Sequence, residues 1–179
     1  MKTGELSDQQ LADYSQKHLL YELHLFQWTA RVAPSMDGVL RFALLESFVV
    51  HLRNLIDFFY PPNGQHDDDV VASDFFDNKN DWAQKISVAL TKARNRANKE
   101  VSHLTLERKD DESLDKPWQV GELLKDVTTV AKDFANRASK AKLHGDVRQL
   151  LNSHGDKVVL VRDGDSCSTN TVSFSSFPA

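Results

Sequence analysis

The chain has 179 residues, 40% of them hydrophobic and 27% charged, and a formal net charge of -4 at pH 7. This length suits one domain with a buried core, and the acidic balance argues against a wholly basic protein that coats nucleic acid. Seven Gly and five Pro are few for a turn-rich all-β fold, and the single Cys167 excludes an intramolecular disulfide and a cysteine-based zinc site.

Two long helices are predicted in the first third of the chain. Ser7 is a candidate N-cap, and a loose helical repeat of apolar residues predicts a first helix over about residues 7–32. Residues 34–38 break it, and a second helix is predicted from about Asp37 to Tyr60. Apolar residues cover so much of this second helix that we expect it at the centre of the fold or at a dimer interface.

Two further helices follow after polar loops. Residues 65–80 predict a loop with one helical turn at about residues 70–76, and a third helix is predicted from Asn80 or Asp81 to about His103 or Leu106. Its predicted inner face consists of Trp82, Ile86, Ala89, Leu90, Ala93 and Ala97. After a surface loop over residues 109–115, Pro117 suits the first position of a fourth helix that runs to about Leu143 and ends at Gly145. The predicted inner face of the fourth helix consists of Val120, Leu123, Leu124, Val127, Ala131, Phe134 and Ala138. A short helical turn is predicted over residues 147–151.

The last part of the chain changes character. Residues 157–162 and 171–177 predict two strands that flank a turn-rich segment. Because a lone hairpin is marginally stable in water, this hairpin must pack on the helices or on a partner. We therefore predict a mainly α fold, a bundle of four to five helices over residues 1–155, with a C-terminal β-hairpin over residues 156–179.

Metal and nucleotide sites find no support in the sequence. The seven histidines lack the spacing of metal ligands, and the acidic run at residues 67–69 lacks the glycine and the terminal glutamate of a calcium loop. Neither a phosphate-binding glycine loop nor a nucleophile elbow is present. We expect no metal and no other cofactor.

The most informative segment is the end of the third predicted helix. Arg96, Lys99 and His103 stand at i, i+3 and i+7, so they share one helix face. A permanent cation beside an imidazole that titrates near neutral pH suits chemistry at a phosphate. The polar residues Asn95, Asn98 and Ser102 lie nearby and are not helix formers by propensity. The alternative is a capped last turn in which His103 interacts with the helix dipole.

A second polar cluster lies on the second predicted helix. Glu46, Arg53 and Asp57 stand at i, i+7 and i+11, and Arg53 and Asp57 have the spacing of an ion pair. Asn54 lies on the side of the helix opposite Leu45, next to His51. The cluster is either an ion-pair network that fixes how the helices pack or a set of groups that orients the site on the third helix.

Residues 37–108 resemble HEPN-domain proteins. Arg96, six intervening residues and His103 are similar to the Arg-(four to six residues)-His signature of that family, and residues 46–59 and 98–105 are similar to its uncharacterised members. The family commonly has a polar residue after the arginine. Here Ala97 follows Arg96, whereas Asn95 follows Arg94, which leaves open which arginine serves the site.

The resemblance implies two functions. Many HEPN proteins are dimeric, metal-independent endoribonucleases, often toxins or antiviral effectors. His103 would then act as general base or general acid, Arg96 would stabilise the phosphorane, and the product would carry a 2′,3′-cyclic phosphate. Other members are catalytically silent and bind nucleotides or partner proteins.

The expected partners follow from these two possibilities. They are an RNA or nucleotide, a second copy of the chain, and an antitoxin or a nucleotidyltransferase. Because the sequence shows no signal peptide and no apolar run of membrane-spanning length, we expect a cytoplasmic protein that does not enter a membrane.

Overall fold

A computed structural model describes residues 6–62, 66, 68–100 and 118–153, and over these residues the protein is mainly helical. Its α-helices are α1 (Asp8–Tyr14), α2 (Leu20–Val32), α3 (Gly38–Phe59), α4 (Val88–Glu100), α5 (Val120–Arg137) and α6 (Gly145–Asn152). They form a bundle, which confirms the predicted helical class. The predicted hairpin, residues 156–179, lies outside the described residues.

The first predicted helix is confirmed as a continuous helical run of α1, one π-helical segment (Ser15–Leu19) and α2. Ser7 is its N-cap and forms a capping box with Gln10. The buried hydroxyl of Ser15 donates to the carbonyl of Ala12 and accepts from the backbone N–H of His144. The π segment is therefore tied to the turn before α6.

Helix α3 packs along α2 and is the central element of the bundle. The rings of Phe26 and Phe48 stack between the two helices with their centroids 5.1 Å apart. The second half of α3 is buried on most of its circumference, as its apolar sequence predicts. Its first two turns, residues 38–43, are exposed on all sides.

Phe134 on α5 is the centre of an aromatic cluster. Its side chain is fully buried, and its ring lies within 5.5–6.1 Å, centroid to centroid, of five other aromatic rings. These rings belong to Phe58, Phe59, Phe75, Phe76 and Trp82. Residues 72–75 form the helical turn expected in the loop after α3, so this loop contributes to the core.

The predicted start of the third helix at Asn80 or Asp81 is wrong, because α4 begins at Val88. Residues 79–81 form a separate 3₁₀ turn, and Trp82 leaves it with non-helical backbone angles. The indole of Trp82 donates to the carbonyl of Phe59 at 2.9 Å and holds this non-helical segment against the end of α3. The hydroxyl of Ser87 accepts from the backbone N–H of Leu90 and caps α4.

The inner face predicted for this helix is confirmed at three positions. Leu90, Ala93 and Ala97 are buried on α4. Ala89 is exposed, which corrects its predicted place. Trp82 is buried and Ile86 packs against the core, although both precede the helix.

The predicted end of the fourth helix is also wrong. Helix α5 ends at Arg137, and Ala138 is extended, so the backbone N–H of Ser139 donates to the carbonyl of Phe75. The guanidinium of Arg148 donates to the carbonyls of Ala135, Ala138 and Ser139 and caps the helix from α6.

Gly145 therefore does not terminate the fourth helix. It is the first residue of α6, which confirms the short helix expected around residues 147–151. Of the predicted inner face of α5, the central positions Leu123, Val127 and Ala131 are buried. Val120 and Leu124 are partly buried and pack against the core.

Candidate functional site

Helix α4 carries the arginines of the predicted site. Its buried residues hold one face against the bundle, and this leaves Arg94, Arg96 and Asn98 half-buried, with Asn95 and Lys99 exposed. The helix is described as far as Glu100. His103 and Ser102 lie outside the described residues, so the pairing of Arg96 with His103 stays a prediction.

Arg94 and Arg96 have different surroundings. The guanidinium of Arg94 donates to the carbonyl of Tyr60 at 3.2 Å and lies 3.7 Å from the carboxylate of Asp57, so it ties α4 to the end of α3. The guanidinium carbon of Arg96 lies 4.2 Å from the ring centre of Trp118, just before α5. This is a cation–π contact, and it fixes the position of the Arg96 charge.

Asn98 adds a polar group one half-turn after Arg96. Its side-chain oxygen is buried and has no hydrogen-bond partner among the described residues. A buried acceptor without a hydrogen-bond partner costs free energy, so a donor that bound this oxygen would be stabilising. Asn95, in contrast, faces solvent.

The predicted cluster on α3 divides into two parts. Nδ1 of His51 lies 2.7 Å from Oε2 of Glu22, and the amide of Asn54 donates to the same oxygen at 3.2 Å. His51 and Asn54 therefore connect α3 to α2. Arg53 and Asp57 form the predicted i,i+4 ion pair at 3.7 Å, and Asp57 also faces Arg94 on α4.

Glu46 does not join this cluster. It lies on the exposed first half of α3 and makes no hydrogen bond or ion pair with another described residue. The predicted stripe of three charges thus contains one ion pair and one solvated carboxylate. Among the α3 residues proposed to orient the site, Asp57 contacts α4 through Arg94.

A polar cleft of about 590 Å³ lies beside this cluster, between the first helical run, α3, His66 and residues 68–71. Arg53, Asn54 and Asp57 line it from α3. From the other side it is lined by Tyr14, His18 and Glu22, none of which belongs to the predicted site. Their spacing of i, i+4 and i+8 on one helical run is the signal that would have found them.

Burial is the largest cause of the pKa shifts of Tyr14 and Asp57, which line the cleft. It raises the pKa of the Tyr14 hydroxyl, and the nearby carboxylates of Glu22 and Asp69 raise it further. The ring of Tyr14 lies 4.8 Å from that of His18, centroid to centroid. Burial also raises the pKa of Asp57, although Arg53 and Arg94 act to lower it.

We predict that the free energy of unfolding of Asp57→Asn increases relative to that of wild type as the pH rises. Because the folded pKa of Asp57 is raised, its contribution to stability is complete below the ordinary aspartate pKa and is lost as the pH rises through the folded value. Asparagine does not titrate. The free energy of unfolding of Asp57→Asn and wild type, measured by urea titration from about pH 3 to about pH 7, gives this difference directly.

The control for a lost carboxylate is Glu46→Gln, at an exposed position without a described partner. If wild type instead gains stability relative to Asp57→Asn as the pH rises, the arginines Arg53 and Arg94 lower the pKa of Asp57 more than burial raises it. That result would contradict this prediction.

Within the described residues, no group of three or more His, Cys, Asp or Glu side chains is placed to hold a metal ion. No helix of the described chain is both long enough and apolar enough to cross a membrane. No family model, no curated protein and no solved structure matches the chain.

Proposed function

We propose that this protein is a dimeric, metal-independent endoribonuclease of HEPN type, with Arg96 and His103 as its catalytic residues. The observation that carries the proposal is the seven-residue spacing of these two side chains along a segment that is helical from Val88 to Glu100. Continued helix would place both on one face. The contact with Trp118 supports it further, because it holds the Arg96 guanidinium in a defined position.

The chemistry requires a base, an acid and a cation. His103 removes the proton of the ribose 2′-OH, which attacks the adjacent phosphorus, and the bond to the 5′-oxygen breaks as that oxygen gains a proton. Arg96 stabilises the negative charge that develops on the non-bridging oxygens. The products are a 2′,3′-cyclic phosphate and a 5′-hydroxyl, and water is not consumed.

One histidine cannot readily act as base and acid in the same step. A twofold-symmetric dimer brings two motifs together and supplies the second imidazole. The exposed start of α3 supports such a dimer, because Val39, Leu40 and Phe42 expose 85%, 55% and 66% of their surface. Three large apolar residues exposed within one helical turn are typical of a protein interface. A cytoplasmic location, where RNA substrates are found, fits this activity.

We predict that Phe42→Asp weakens the dimer. Burying the aspartate at the interface is unfavourable, and loss of a large aromatic anchor costs about 2 kcal/mol or more, so the dimer dissociation constant rises at least about thirtyfold. Multi-angle light scattering over a concentration series measures this constant. The matched control is Val88→Asp, which introduces the same charge at another exposed apolar position. Wild type that is monomeric at every concentration, or a Phe42→Asp dimer as tight as wild type, would contradict the proposed interface.

The experiment that tests the activity is incubation of end-labelled RNA with the protein and excess EDTA. Wild type is expected to cleave, and His103→Ala is expected to lose about 10²–10⁴-fold in rate. His66→Ala, at an exposed histidine, serves as the control. Cleavage by His103→Ala at the wild-type rate would rule out the mechanism.

The second candidate function is a catalytically silent helical protein that binds a nucleotide, an antitoxin or a nucleotidyltransferase. The observation that favours it is that both arginines have structural contacts: Arg94 bridges α4 and α3, and Arg96 stacks on Trp118. RNA left intact by wild type, together with binding of a nucleotide or partner protein, would favour this function.

A further inference from the structure

A groove of about 430 Å³ lies between α2, α5 and α6, and its lining is unusual for an acidic protein. Three cationic side chains line it, Arg31 from α2 and Lys125 and Lys132 from α5, and no carboxylate of the described residues does. None of the three cations forms an ion pair or a side-chain hydrogen bond with another described residue. Their charges therefore add up in the groove instead of being neutralised within the fold.

The sequence of α5 accounts for this separation of charge. Lys125 and Lys132 are seven residues apart, about two turns, so they lie on one face about 10 Å apart along the axis. The acidic residues of α5, Glu122, Asp126 and Asp133, are not among the described residues that line the groove. Asp133, for example, accepts from Gln84 at 2.8 Å and from Arg137 at 3.0 Å, so its charge is paired outside the groove lining.

The polar groups of the groove suit phosphate rather than bases. Gln27 and Thr128 add neutral side chains that can donate hydrogen bonds to phosphate oxygens. Within the part of the chain that the structure describes, no aromatic residue lines the groove, so these residues offer no stacking surface for a base. Cations spread over about 10 Å fit a chain of phosphates better than a single phosphate group.

The groove also begins close to the candidate site. Gly121, in the first turn of α5, lines it. Trp118, which contacts the Arg96 guanidinium, stands three residues earlier and accepts the backbone N–H of Val120 through its carbonyl. A strand held in the groove could therefore continue past the N-terminus of α5 to Arg96.

We propose that this groove binds the sugar–phosphate backbone of single-stranded RNA and holds the substrate for cleavage. The choice of RNA rests on the proposed function, whereas the groove as a polyanion site rests on its own residues. Binding is through charge and hydrogen bonds to phosphates, so it is independent of sequence and falls steeply with salt.

Gly121 allows a test that keeps the fold intact. A Cβ added at Gly121 would meet no atom within 4 Å, and a non-glycine residue, acidic above all, is favoured in the first turn of a helix. Gly121→Glu therefore adds a negative charge to the groove without a cost in stability, and Gly121→Gln is its neutral control of equal shape. We expect Gly121→Glu to weaken RNA binding at least about tenfold and Gly121→Gln to bind more tightly than Gly121→Glu.

The measurement is fluorescence anisotropy of the full-length protein with a labelled 2′-O-methyl oligoribonucleotide, which has no 2′-OH to attack. Lys125→Gln with Lys132→Gln is expected to weaken binding and to reduce the slope of log K against log salt by about 0.7 for each phosphate that is no longer neutralised. Lys140→Gln, an exposed lysine that does not line the groove, should leave both quantities unchanged.

The outcomes separate this proposal from the proposed activity. Salt-dependent binding that requires Lys125 and Lys132, without any cleavage of ordinary RNA, supports the groove and overturns the activity. Cleavage that requires His103, with binding unaffected by Gly121→Glu and by the two lysine substitutions, overturns the groove. If wild type does not bind the labelled oligoribonucleotide at low salt, the proposed groove is also overturned.

Discussion

Replacing Phe134 with alanine is expected to lower the free energy of unfolding by about 3–5 kcal/mol. The ring is fully buried and contacts five aromatic neighbours from α3, from the loop after it and from the segment before α4. Alanine leaves a cavity that these neighbours cannot fill without moving three parts of the chain. Urea denaturation at pH 7, followed by circular dichroism, measures the loss.

The control for Phe134→Ala is Tyr21→Ala, which removes an aromatic ring that is 53% exposed. This substitution is expected to cost less than about 1 kcal/mol. Equal losses for the two variants would show that the aromatic cluster around Phe134 is not the centre of the core.

Replacing Arg96 with alanine is expected to lower kcat/KM for RNA cleavage by about 10²–10³-fold, because the reaction loses the donor that faces the developing charge. Arg94→Ala is expected to lower stability instead, since it leaves the partly buried carboxylate of Asp57 with one cation fewer. Initial rates under the same conditions, corrected for the folded fraction from circular dichroism, separate the two effects.

The conservative variant Arg96→Lys refines this prediction. Lysine keeps the charge but loses the planar fork that donates two parallel hydrogen bonds, so partial activity is expected. A loss of rate in Arg94→Ala together with a normal rate in Arg96→Ala would contradict this assignment and give the catalytic role to Arg94, which is followed by the polar residue Asn95.

The sequence predicts those elements whose signals are local. The N-cap at Ser7 and the apolar repeats of the first two helices are features of neighbouring residues, and the structure has both helices at the predicted bounds within one residue. The short helical turn predicted over residues 147–151 is also confirmed, within α6.

The errors arise where a contact distant in sequence decides the local structure. Residues 82–87 have a helical apolar pattern, but the indole of Trp82 bonds to the carbonyl of Phe59, 23 residues earlier. Arg148 likewise caps α5 from α6 and allows the chain to leave the helix at Ala138. Neither the contact of Trp82 with Phe59 nor that of Arg148 with the end of α5 can be predicted from a local sequence pattern.

In the candidate site, too, the contact within one helix could be predicted from the sequence, whereas the contacts between helices could not. The Arg53–Asp57 pair follows from i,i+4 spacing and is confirmed. The contacts of Glu22 with His51 and Asn54, and of Asp57 with Arg94, join different helices and could not be deduced from either helix alone. The contact of Arg96 with Trp118 is of the same kind.

The nature of the RNA ends tests the proposed mechanism most directly. Mass spectrometry of an oligoribonucleotide after incubation with wild type and EDTA would identify them. The mechanism predicts a 2′,3′-cyclic phosphate and a 5′-hydroxyl, and no cleavage at a nucleotide that carries a single 2′-deoxy substitution. Fragments with a 3′-hydroxyl and a 5′-phosphate, or cleavage at the deoxy position, would contradict 2′-OH attack promoted by Arg96 and His103.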